Sequence, residues 1–199
     1  MQTYLIEQKI RPLVNQYAIY EAGPDGVKGS MVAFAQQKRF AFKEAFTMYA
    51  DDSKQQVSFT VKARQVLDFG ARYDVTDADG KTLGTIGKAF KSSLLRSTWH
   101  IFAPGIEDKP LLVIQERSQA LAIFRRIWDF VPYIGDIPFL LKYHFDMSDP
   151  DNGQVAATYE KTTLWRDHYK LSVVGGGAEA IDPRVLMSMG VLLDAMQGR

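Results

Sequence analysis

The sequence predicts a mainly β protein, a closed antiparallel β-barrel of about twelve strands around a buried C-terminal α-helix, with one additional amphipathic helix. Three observations carry this. Short runs rich in β-branched and aromatic residues are punctuated by turn clusters ending in glycine: Pro24-Asp25-Gly26, Asp79-Gly80 and Asp151-Asn152-Gly153. The segment from Val185 to Met196 is apolar in nearly every direction of a helical wheel. The chain has 199 residues, enough for one sizeable core and short for two ordinary domains, so residues 1–199 are read as a single domain.

The elements follow in chain order. Tyr4 to Ile10 alternates weakly and reads as a strand. Tyr17 to Ala22, the turn Gly23 to Gly26 and Val27 to Gly29 form a first hairpin. Phe46 to Tyr49 and Val57 to Val61 are strand-like. Tyr73, Val75 and Asp77 share one side of an extended chain, and Leu83 and Ile86 continue the apolar content beyond the turn. Glycine accepts positive φ and aspartate tolerates the left-handed region, so Asp79-Gly80 turns this second hairpin. Thr98 to Phe102 and Leu111 to Ile114 are further strands. Tyr143 to Met147 and Gln154 to Ala156 flank a third hairpin turn, and Tyr169 to Val174 ends the β region. The three related turns suggest a sheet of repeated up-and-down units.

Two segments depart from this pattern. Glu116 to Phe130 has Leu121, Ile123, Phe124, Ile127 and Trp128 among Arg117, Arg125, Arg126 and Asp129, the pattern of an amphipathic helix. It runs into Val131 to Leu141, an unusually apolar connection. Near the C-terminus, Gly175-Gly176-Gly177 breaks the β pattern, and Asp182-Pro183 supplies an N-cap and a first helical residue. A helix apolar on all sides must be buried on all sides, and threading it through a barrel accomplishes that.

Composition limits function. Apolar residues make up 46% and charged residues 24% of the chain, and the net charge is +1, so no bulk charge favours nucleic acid. Absence of cysteine removes disulfides, thiolate metal sites and cysteine nucleophiles, and fits a cytoplasmic location. The N-terminus shows no signal-peptide pattern. The longest nearly uncharged apolar stretch, Val185 to Leu193, is far shorter than the about 20 residues a spanning helix needs.

Sites of common chemistry are not legible. With Gly80 as the glycine of an EF-hand loop, the first ligand position falls on Val75 and the closing glutamate position on Ile86, so no calcium site is expected. His100, His144 and His168 stand alone, without partners at zinc-ligand spacing. No nucleophile elbow, P-loop or dinucleotide fingerprint occurs, and Gly84-Thr85-Ile86-Gly87-Lys88 is too short for a phosphate loop. Asp51-Asp52 and Asp149 with Asp151 read as turn caps, and Trp99 and Trp165 as packing residues. The expectation is a protein that is not an enzyme and that takes no cofactor or metal.

Gln37 to Glu44 followed by Phe46 to Asp52, the hairpin Tyr73 to Gly80 with Leu83-Gly84, and the terminal segment Asp182 to Asp194 together resemble the Tubby C-terminal-like superfamily, in particular LURP-one-related proteins and phospholipid scramblases. The resemblance runs over about residues 3 to 197 and implies about twelve antiparallel strands around a central helix. In that superfamily Tubby proteins bind phosphoinositides, scramblases are linked to lipid movement and LURP-one-related proteins to plant defence. Scramblases carry a cysteine cluster and an acidic calcium segment before the last helix. This chain has no cysteine and offers only Glu179 and Asp182 there, so calcium-activated scrambling is not expected.

The resemblance and the local charge pattern together suggest a non-enzymatic binding module that recognises an anionic phospholipid or membrane surface peripherally. Lys81, Lys88, Lys91, Arg96, Arg125 and Arg126 would meet headgroups, with Trp128, Phe130, Tyr133 and Ile134 as interfacial or partner-binding residues. The other readings are a protein-interaction or self-association scaffold that uses the apolar segment 124–141, and a hydrolase or other enzyme whose site the sequence does not reveal.

Overall fold

The computed structural model describes residues 1–10, 14–38, 45–64, 71–89, 97–118, 144–163 and 168–197. Twelve strands appear in sequence order: β1 (Gln2–Ile10), β2 (Val14–Ala22), β3 (Lys28–Lys38), β4 (Ala45–Tyr49), β5 (Val57–Ala63), β6 (Arg72–Asp77), β7 (Thr82–Lys88), β8 (Thr98–Phe102), β9 (Leu112–Glu116), β10 (His144–Ser148), β11 (Val155–Lys161) and β12 (His168–Val173). Each pairs antiparallel with its sequence neighbours, and β1 closes on β12 from Gln2↔Val173 to Glu7↔His168. The result is a closed twelve-stranded barrel with no free sheet edge at the seam.

The period of two sorts the strands. Phe59 and Val61, Tyr73 and Val75, Leu112 and Ile114, and Phe145 and Met147 all turn inward and are fully or almost fully buried. The ladders shift register at Ile19/Tyr20, Tyr20/Ala22, Met48/Tyr49, Val75/Thr76 and Met147/Ser148. All five irregularities precede turns at one rim of the barrel, where the added local twist curls the wall closed.

The turns form as their residues dictate. Gly26, Gly80 and Gly153 each take positive φ. Asp77 accepts backbone N–H bonds on Oδ1 from Asp79 at 3.1 Å and Lys81 at 2.9 Å, so this carboxylate closes a hairpin.

After β12 the chain makes a single 3₁₀ turn (Ala178–Ala180) and enters α1 (Pro183–Gln197), which runs down the barrel axis. Asp182 caps it, accepting the Arg184 N–H on Oδ1 at 2.9 Å. Val185, Leu186, Met189, Val191, Leu192 and Leu193 are buried around its whole circumference and belong to one core with the inward strand residues. Gly84 lets β7 approach the first turn of α1: a Cβ there would meet Val185 at 3.1 Å. Gly190 does the same for β1 and β11, where a Cβ would lie 2.9 Å from Ile6 Cδ1 and 3.0 Å from the Tyr159 ring.

One boundary differs from expectation. Glu116, expected to open the amphipathic helix, is the last residue of β9 and is fully buried, because it holds the inward position two residues after Ile114. Arg117 and Ser118 are not helical either, and residues 119–143, on which the rest of the expected helix falls, lie outside the described residues.

Candidate functional site

An antiparallel meander sends alternate connections to opposite ends, and here those ends differ in charge. At the end where α1 begins lie connections 23–27, 50–56, 78–81, 103–111 and 149–154 and the approach 174–182. Their sequences hold ten Asp and Glu residues against three lysines, one of the ten, Glu107, reaching across the outer wall to Arg64 and Arg72. Several of these carboxylates close turns: Asp25 accepts from Val27, Asp51 from Ser53 and Asp149 from Asp151. Val27, Ile106, Leu111, Val155 and Val174 are exposed at the same end.

The other end is where β1–β2, β3–β4, β5–β6, β7–β8, β9–β10 and β11–β12 are joined, and where α1 points its C-terminus. The intervening sequences hold eleven Lys and Arg residues against five Asp and Glu. The described cations near this end are partly committed to neighbours. Arg64 holds Asp74 through two nitrogens at 2.7 and 2.8 Å and also bonds Glu107, and these partners raise its pKa. Arg72 reaches Glu107 at 3.2 Å and lies 4.6 Å above the Phe102 ring. Arg117 joins Asp146 at 2.7 Å and Glu160 at 3.2 Å.

The structure separates the two expected lysines it describes. Lys81 sits on the exposed β6–β7 turn at the acidic end, where hydrogen bonds from Arg184 hold the Asp182 carboxyl below its usual range and the Lys81 charge adds to them. Lys88 ends β7 at the basic end, half-buried, with its ammonium 5.6 Å from the Trp99 ring centroid. Seven residues of strand put them about 20 Å apart. They therefore do not share a patch, and strand direction, which no residue pattern reveals alone, decides it. Lys91, Arg96, Arg125, Arg126, Trp128, Phe130, Tyr133 and Ile134 lie outside the described residues.

The three histidines are held on different strands. His100 packs edge-on against Phe102 at 5.8 Å, and burial and the Arg72 charge lower its pKa. His144 lies 3.9 Å from Glu160 on the β10–β11 wall, and His168 begins β12.

One polar cluster escaped the sequence reading. Asp194, 2% exposed, receives the Tyr17 hydroxyl at 2.6 Å and the Tyr169 hydroxyl on its other oxygen, and Gln8 donates to Tyr17 at 2.9 Å. These bonds fix the last turns of α1 to β2 and β12. The signal was present, since Asp194 is the acidic residue of α1 and directly follows the apolar run Val191-Leu192-Leu193, and a buried carboxylate requires donors. Its partners, 177 and 25 residues away, were not legible.

Comparison with known proteins adds two findings. The family model described as LURP-one-related matches residues 31–194. A Bacillus subtilis (strain 168) protein named uncharacterized protein YxjI is 27% identical over 161 residues, covering 81% of this chain and 90% of that protein.

Proposed function

This chain belongs to the LURP-one-related family, and on that premise we propose that its barrel is a non-enzymatic binding module whose basic end meets an anionic phospholipid surface peripherally. One observation carries the reading: the connections at one barrel end are basic and rich in aromatic and aliphatic residues, and those at the other are acidic. A molecule so divided orients in the field of an anionic surface before any contact forms. Lys88, Lys91, Arg96, Arg125 and Arg126 are assigned to headgroups. Trp128, Phe130, Tyr133 and Ile134 are assigned to the boundary between headgroups and acyl chains. Lys81 is assigned no part, because it stands at the acidic end. No helix among the described residues is long and apolar enough to cross a membrane.

The test is co-sedimentation of the full chain with phosphatidylcholine vesicles and with vesicles containing phosphatidylserine, at low and moderate salt. Binding to the anionic vesicles alone, weakening as salt rises, is expected. Arg125→Glu with Arg126→Glu should weaken it at least about tenfold, while Lys81→Glu leaves it unchanged. Absence of binding to either vesicle sinks the proposal. A concentration-dependent mass abolished by Trp128→Ala or Tyr133→Ala would then assign segment 124–141 to self-association.

A further inference from the structure

The outer wall of β1, β2 and β3 carries a depression whose origin can be read from the register. Outward side chains form three rows across these strands: Lys9, Gln16 and Gln36; Glu7, Ala18 and Phe34; Tyr20 and Met31. Ala18 stands at the centre and is the one small residue of the grid. β3 pairs with β4 only at Phe34 and Ala35 among the described residues, so the β4–β5 connection parts from β3 and brings Asp52 to the side of the grid. The groove encloses about 280 Å³ and is lined by these residues. That is close to the lower limit of ordinary ligand pockets, about 300 Å³. Its floor is unusual for an outer wall: Ala18 is 5% and Phe34 7% exposed, although neither belongs to the interior core.

The chemistry of the lining selects a ligand class. Charge is balanced. Lys28 holds Glu7 at 2.9 Å, with its ammonium 3.9 Å from the Tyr20 ring centroid, and the lining carries one further cation, Lys9, and one further carboxylate, Asp52. A net ionic ligand therefore gains nothing from this groove. Donors and acceptors are mixed. Gln16 Nε2 donates to Gln36 Oε1 at 2.7 Å, which leaves the Gln16 carbonyl oxygen and the Gln36 amino group for a ligand. The carboxylates of Glu7 and Asp52 accept hydrogen bonds from hydroxyls, and Lys9 donates them. The floor of Ala18, Phe34 and Met31 suits a C–H face. A small neutral molecule with hydroxyls around its edge and an apolar face meets all three conditions.

We propose that this groove binds a neutral sugar. The site lies on the outer wall, with its Lys9, Gln16 and Gln36 row next to the basic end, and its ligand chemistry does not depend on the membrane reading. The full ¹⁵N-labelled chain is titrated with glucose, galactose, mannose and N-acetylglucosamine while the Ala18 backbone amide and the side-chain amides of Gln16 and Gln36 are followed by NMR. Saturable shifts of these signals with at least one sugar are expected. Ala18→Phe, which fills the depression from outside the core, should weaken binding at least tenfold without lowering the unfolding temperature. Asp52→Ala, on an exposed turn, provides a second variant expected to weaken the same binding. The proposal is overturned if none of the four sugars gives a saturable shift, or if binding survives both substitutions. Shifts with inorganic phosphate or methylguanidinium but with no sugar would equally overturn it.

Discussion

His100 shows how one side chain makes stability depend on pH. Its ring lies on the outer wall against Phe102, in the field of Arg72. Burial and that positive charge favour the neutral ring, so its folded pKa lies below the ordinary value near 6.5. The unfolded chain therefore binds a proton that the folded chain refuses. The stability His100 contributes is complete above about pH 6.5 and is lost as pH falls below it. Asp74 and Asp182 act further down. Burial raises the Asp74 pKa, but hydrogen bonds from Arg64 and Thr85 outweigh that and lower it, and Arg184 lowers Asp182. Their contribution is present above the usual carboxylate pKa of about 3.9 and disappears at lower pH. Urea midpoints measured against pH should fall in two stages. His100→Gln should remove the stage that begins near pH 6.5 and keep the acidic one; an unchanged profile would dismiss this account.

At the scale of elements, α1 is designed against its own propensity. Gly190 in mid-helix costs up to about 1 kcal/mol relative to alanine, yet the strands require it. Ile6 and Tyr159 leave no room for a side chain, Ile6 is fully buried, and the Tyr159 ring is stacked on Tyr169 at 5.0 Å. Gly190→Val should destabilise the chain by at least about 2 kcal/mol in chemical denaturation; a more stable variant would mean that α1 is not gripped there. The elements were largely legible because their signals are local. Asp79-Gly80 marked a turn by its own conformational preference, and Val185 to Met196 marked a buried helix by being apolar all round. β3 was less legible: the register shifts beside Tyr20 and Ala22 break the alternation of period two, so Lys28 to Lys38 does not announce eleven residues of strand. The buried outer-wall positions were invisible for another reason. Phe102 is covered by Arg72 and by the Gly87 backbone, which no sequence spacing brings to it.

At the scale of the molecule, the barrel has no independent core without the helix. Inward residues of strands throughout the wall share one cluster with Val185, Met189 and Leu193. A chain ending at Gly175 should therefore lose cooperative unfolding and bind a hydrophobic dye, while the full chain melts in one transition. A cooperative melt from the shortened chain would show that the wall packs on itself. The candidate binding end was legible only in part: the basic and apolar composition of its connections is a sequence property, but the grouping of those connections is a property of topology.

The ladder between β1 and β12 also has a meaning in time. A ribosome delivers β1 before the other eleven strands, and α1 only after β12. During most of synthesis β1 has one side without its final neighbour, and the wall's apolar face has nothing to close upon. The nascent chain therefore carries a template for wrong pairing until β12 has been made, so shielding by chaperones matters most while the strands between β1 and β12 are being synthesised.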